Sequence, residues 1–109
     1  MNEQLPAVVQ SYFTATNAHD TEAVASCFTP NAEVADEGKV HMGTAAIRAW
    51  SQDVIRRYNP SFEVLAASQR GDESFVTARV SGTFEGSPAD IDYVIALSDG
   101  GLISSLRVP

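Results

Sequence analysis

From Leu5 the apolar residues Leu5, Val8, Val9, Tyr12 and Phe13 fall at i, i+3, i+4, i+7 and i+8. That is one stripe of an amphipathic helix, with Pro6 in its first turn. The polar run Asn17-Ala18-His19-Asp20 ends it, and Asp20 caps a second, shorter helix expected to run through Phe28 until Thr29-Pro30 stops it. A short strand is expected at residues 32 to 36. Gly43-Thr44 opens a third helix in which Ile47, Trp50 and Val54 recur at helical spacing up to Tyr58, with Asn59-Pro60 closing it.

After Pro60 the hydrophobic period changes from 3.6 to two. Phe62 to Ser68, Ser74 to Phe84, Ala89 to Leu97 and Leu102 to Val108 read as strands, separated by Arg70-Gly71-Asp72, Glu85-Gly86-Ser87-Pro88 and Ser98-Asp99-Gly100-Gly101. Connections this short join consecutive antiparallel strands. The pattern predicts helix, helix, strand, helix and a four-stranded meander: an α+β fold with helices laid across one face of a sheet. No internal repeat or linker-like run divides the chain, so its 109 residues form one domain, residues 1–109.

Composition narrows the function classes. Seven basic residues against fourteen acidic ones give a formal net charge of −7, and the basic residues do not gather on one stretch beyond Arg56-Arg57. Nucleic acid, which needs a basic face, is not an expected partner. The opening MNEQLPAVVQ lacks a basic segment followed by an apolar one, and no apolar run reaches membrane-spanning length, so a cytoplasmic location without membrane partners is expected. Cys27 is the only cysteine and has core neighbours in the second helix, which leaves no disulfide and no cysteine-based zinc spacing. The two histidines, His19 and His41, have no metal-ligand spacing, and no metal or other cofactor is expected. Nucleophile-elbow, phosphate-loop and dinucleotide fingerprints are absent. Arg70-Gly71-Asp72 reads as a hairpin turn, and Arg79 as an outward residue facing solvent or a dimer partner's Asp90 or Asp92.

Several motifs then carry a resemblance. Tyr12-Phe13 followed by Asn17-x-x-Asp20, Phe28-Thr-Pro-Asn-Ala32 before the first strand, and Gly43-x-x-x-Ile47-x-x-Trp50 in the third helix resemble the NTF2-like superfamily in order and spacing. The likeness is to its SnoaL-like and ketosteroid-isomerase-like members and spans nearly the whole chain. It implies a cystatin-like, cone-shaped α+β barrel with three N-terminal helices on a curved, mainly antiparallel sheet. It further implies a pocket for a small hydrophobic molecule between sheet and helices, and a homodimer formed through the outer sheet face.

Within that resemblance Asp36 corresponds to the general-base aspartate of ketosteroid isomerases, and Tyr12 to the tyrosine that donates a hydrogen bond to the developing enolate. Alternation puts Asp36 on the same strand face as Val34, so if Val34 points inward the carboxylate does too. A desolvated carboxylate is a better base. The competing reading is that Asp36-Glu37-Gly38 is ordinary turn chemistry in water. Tyr12 likewise reads either as an oxyanion donor or as a packed core ring. The chain departs from the isomerases on its late strand, where Tyr93 occupies the position of a protonated aspartate, on a face with Ile91, Ile95 and Leu97; it is either a replacement phenol donor or core filler.

The candidate catalytic set is therefore Asp36, Tyr12 and Tyr93. His41, Trp50, Phe13, Val34, Phe84 and Leu106 are candidate ligand contacts, His41 and Trp50 each also having a plainer reading as strand-end residue and core ring. Two functions remain open: an isomerase or cyclase that moves a proton on a polyketide-like or steroid-like carbonyl compound, and a non-catalytic binding or dimerisation module using the same pocket.

Overall fold

The computed structural model describes residues 5–109 and begins with a helix, α1 (Ala7–Asn17), in which Val9, Tyr12 and Phe13 of the expected stripe are buried, together with Ala15 and Thr16, while Leu5 and Val8 pack partly buried against the core. Pro6 is its N-cap rather than a first-turn residue, and its carbonyl accepts from the amides of Val9 and Gln10. Asp20 caps α2 (Thr21–Ser26) through a bond from the Ala23 amide to Oδ1, 3.1 Å long.

The second helix is shorter than its sequence pattern suggested, because Phe28 already belongs to the first strand, β1 (Phe28–Asp36). Pro30 is tolerated there: the ladder to the last strand is interrupted between Phe28 and Glu33, so its missing amide proton breaks no sheet bond. Beyond β1 the chain turns at Glu37 and Gly38, both at positive φ (55° and 75°), and returns as β2 (Lys39–Met42). Two left-handed residues in succession make the tight hairpin turn whose twist suits paired strands.

The third helix, α3 (Thr44–Tyr58), has the predicted boundaries and ends on Asn59 in the left-handed conformation, its amide bonded to the Ile55 carbonyl. Arg56 and Arg57 in its last turn oppose the negative end of the helix dipole. Four strands follow: β3 (Ser61–Arg70), β4 (Glu73–Ser81), β5 (Ala89–Leu97) and β6 (Ile103–Arg107). β4 stops at Ser81, short of the predicted Phe84, where the chain at Gly82 passes so near the Tyr58 carbonyl that a Cβ there would clash with its oxygen. The amide of Thr83 bonds to that carbonyl at 2.8 Å, pinning the β4–β5 loop to the end of α3.

All six strands form one sheet in the order β2-β1-β6-β5-β4-β3. Every neighbouring pair is antiparallel except β1 with β6, which run parallel. The sheet is curved but not closed, with β2 and β3 as its edges. The helices cover its inner face, where Val34, Ile95, Ile103 and Leu106 are fully buried against Val9, Val24 and Ile47. Arg79 does face outward, and it meets Asp90 of its own neighbouring strand, Nε to Oδ1 at 3.0 Å. Cys27 is a buried core residue whose thiol lies 3.4 Å from the Ala23 carbonyl, and burial pushes its pKa up.

Candidate active site

Asp36 is the last residue of β1 and keeps the strand's alternation with Val34 and Ala32, both buried, so its side chain turns to the inner face. It ends on the wall of a cavity of about 460 Å³ between α3 and the inner sheet. The hairpin turn is made by the two residues after it, Glu37 and Gly38. The half-buried carboxylate accepts a hydrogen bond from Trp50, Nε1 to Oδ2 at 3.0 Å. That bond joins α3 to β1 and gives a buried indole the acceptor it needs.

Aromatic rings from four parts of the chain line the same cavity as this carboxylate: Trp50 and Tyr58 from α3, Phe62 from β3, Phe84 from the β4–β5 loop and Tyr93 from β5. Val54, Val80, Ile91 and Val108 supply aliphatic wall. Phe84 stands edge-on to Tyr58, centroids 5.7 Å apart, so the pinned loop holds one ring of the wall against another.

Tyr93 is on the wall, and burial, then the nearby Tyr12 and Asp36, drive its phenol pKa far above the ordinary value. Tyr12 is buried behind the wall rather than on it. Burial is again the first cause of its raised pKa, a hydrogen bond involving Thr16 works against it, and Asp36 raises it further. Both phenols therefore keep their protons across the working pH range, and each has an O–H to donate. Phe13 links them, edge-on to Tyr12 at 5.1 Å and to Tyr93 at 5.5 Å.

The remaining candidates are placed differently from the wall. Val34, Leu106 and Phe13 are packed in the closed core, and none of them lines the cavity. All three lie on the predicted inner face, but that face continues past the cavity into solid core. His41 pairs with Val34 across the hairpin and stays half-buried beside Trp50, centroids 6.3 Å apart, also off the wall. Phe84 and Trp50 are on it. Tyr58, Phe62 and Glu37 are wall residues that the sequence did not single out.

Glu37, at the mouth, is held by neighbours from α3. Its carboxylate accepts from Arg57 Nη2 at 2.8 Å and from the Tyr58 hydroxyl, while Arg57 Nε also bonds Asp53 at 2.7 Å. The hydrogen bonds from Arg57 and Tyr58 lower the Glu37 pKa and keep it ionised. Adjacent carboxylates thus have opposite surroundings: Glu37 is neutralised by a guanidinium, and Asp36 receives one neutral N–H. Among the described residues no three His, Cys, Asp or Glu side chains converge as metal ligands, and no helix is long and apolar enough to cross a membrane.

Similar proteins agree with this architecture. A proposed polyketide cyclase from Sinorhizobium meliloti is 37% identical over 96% of this chain and 95% of its own, with a TM-score of 0.92. SalBIII, an epoxide hydrolase/cyclase-like enzyme with a role in pyran ring formation in the polyether salinomycin, is 28% identical over 93% and 85%, with a TM-score of 0.77. A protein of ketosteroid isomerase-like fold from Catenulispora acidiphila, 20% identical over 97% and 86%, superposes with a TM-score of 0.82 and speaks for the fold alone. No curated protein sequence matches the chain. The sequence model of the SnoaL-like domain matches residues 9–104, nearly the whole fold just described, and the chain belongs to that family within the NTF2-like superfamily.

Proposed function

We propose that the protein is an enzyme of the ketosteroid-isomerase and SnoaL type, in which Asp36 moves a proton on a small hydrophobic carbonyl compound of polyketide-like or steroid-like shape. The observation that carries this reading is the place of Asp36: a carboxylate on the wall of an aromatic cavity, oriented by Trp50, with the phenol of Tyr93 on the same wall. Asp36 takes a proton from the carbon next to the carbonyl, and the electron pair of that C–H bond becomes the enolate. A neutral phenol donates to the enolate oxygen, and Asp36 then returns the proton to carbon. Tyr93 is the donor at the wall; Tyr12 supports it from behind, where the charge on Asp36 reaches both phenols. The names of the Sinorhizobium protein, a proposed polyketide cyclase, and of SalBIII, an epoxide hydrolase/cyclase-like enzyme, support ring-closing chemistry without fixing the substrate.

A homodimer through the outer sheet face belongs to the same proposal. Phe75 and Val94 pair there on β4 and β5, half-exposed, next to the Arg79–Asp90 ion pair.

The test needs no known product. The protein is incubated in D2O with a panel of aryl ketones and β-dicarbonyl compounds, and deuterium entry at the carbon beside the carbonyl is followed by NMR. Asp36→Asn keeps an oxygen to accept from Trp50 but has no basic site, so exchange should fall by about 100-fold or more while the fold is retained. Equal rates in the two proteins would make the cavity a binding module rather than an active site.

A further inference from the structure

Among the described residues, none on the cavity wall is a lysine, arginine or histidine. Its two carboxylates differ, because Arg57 already neutralises Glu37 at the mouth, whereas Asp36 has no cationic partner among the described residues. The same wall carries the rings of Trp50, bonded to Asp36, and of Tyr58, Phe62, Phe84 and Tyr93. Aromatic faces are electron-rich and attract cations, above all poorly hydrated ones such as alkylated ammonium groups. A neutral ligand that fills the cavity strips water from Asp36 and offers no charge in return. A small organic cation replaces that water with an ion pair and loses little hydration of its own. The formal net charge of −7 favours the approach of such a ligand.

We propose that this cavity binds small organic cations of the alkylammonium or quaternary ammonium class, with the positive group lodged between the Asp36 carboxylate and the aromatic wall. The proposal rests on the cavity being the ligand site but not on Asp36 acting as a base. The bound cation occupies the place where a carbonyl substrate would meet the carboxylate, and the two kinds of ligand exclude each other.

Choline and 3,3-dimethylbutan-1-ol make the test, since they differ chiefly in having nitrogen or carbon at the branched centre and hence in charge. Trp50 is the only tryptophan, and its indole is bonded to Asp36, so its fluorescence reports both ligands. Choline should bind at least about tenfold more tightly than the neutral alcohol. Asp36→Asn should erase that preference while leaving the alcohol's affinity within about twofold, which shows the cavity intact. Phe84→Leu, which removes a ring from the wall but no charge, should weaken choline more than the alcohol. Failure of choline to bind, equal affinities in the wild type, or a preference that survives in Asp36→Asn overturns the proposal. The deuterium-exchange assay separates this result from the previous one: exchange without a choline preference removes the cation site alone, and a preference without exchange removes the base alone.

Discussion

The inner face of the sheet has two ends that differ in how they use the same kinds of residue. Under α1 and α2, Val24, Ile103 and Leu106 fill the space completely, and each has essentially no exposed surface. Under the last turns of α3, comparable residues such as Val54 and Ile91 line a void of about 460 Å³. The difference follows from what spans each end. α1 and α2 lay two apolar stripes over the central strands, whereas the open end is roofed by a single helix that leans on Asp36 through Trp50 and on the β4–β5 loop through Tyr58. The filled end supplies stability, whereas a side chain at the hollow end has given up packing partners and borders open space.

Truncation should separate the two ends most sharply. Leu106→Ala removes a fully buried side chain flanked by Val34 and Ile95 and should cost about 2–5 kcal/mol in denaturant unfolding. Val54→Ala, on the cavity wall, should cost less than about 1 kcal/mol, since a cavity is already there. Equal losses would mean that the cavity closes in solution.

A smaller effect is expected in alkali. Tyr12 and Tyr93 have pKa values raised by folding, so the native state holds their protons more tightly than the unfolded chain does. Their contribution is complete below the unfolded value of about 10 and is lost as pH rises beyond it. Stability of the wild type should fall above about pH 10, and Tyr12→Phe with Tyr93→Phe should flatten that decline; an unchanged slope would show that neither phenol is shielded.

The smallest change belongs to the mouth. Glu37 and Arg57 are both substantially exposed, so Glu37→Gln should alter unfolding free energy by less than about 1 kcal/mol. The lowered Glu37 pKa places what stability the pair gives above the ordinary carboxylate range, to be lost as pH falls through it. A thermal melt at pH 7 and one near pH 3 should therefore differ less for Glu37→Gln than for the wild type.

How much of this was legible depended on whether a residue's neighbours were local. α3 and β5 could be bounded from the sequence because Gly43, Asn59 and the alternation from Ala89 to Leu97 are near-neighbour signals. β2 was visible only as a return after the tight turn in residues 31–43: it has four residues, and its apolar ones, Val40 and Met42, point outward at 57% and 63% exposure, the reverse of the usual pattern. The start of β1 was hidden by Pro30, which reads as a stop unless one knows the ladder is already broken there. Asp36, Trp50 and Tyr93 were found by periodicity and family likeness, while Tyr58 and Phe62 flank the Asn59-Pro60 break and share a wall only after the chain reverses. The bond between Trp50 and Asp36 spans 14 positions and two elements, and no local pattern encodes it.

The position of β6 bears on how the molecule comes to be folded. It is the last strand in the chain, yet it lies between β1 and β5 and joins the early hairpin to the late meander. Residues 28–42 can pair with each other as soon as they exist, but they have no place in the sheet until Ile103–Arg107 has arrived. Assembly therefore ends in a long-range closure, a topology that slows folding and leaves the edge of β1 bare in the meantime. On the ribosome, that unsatisfied edge is the surface a chaperone would have to shield.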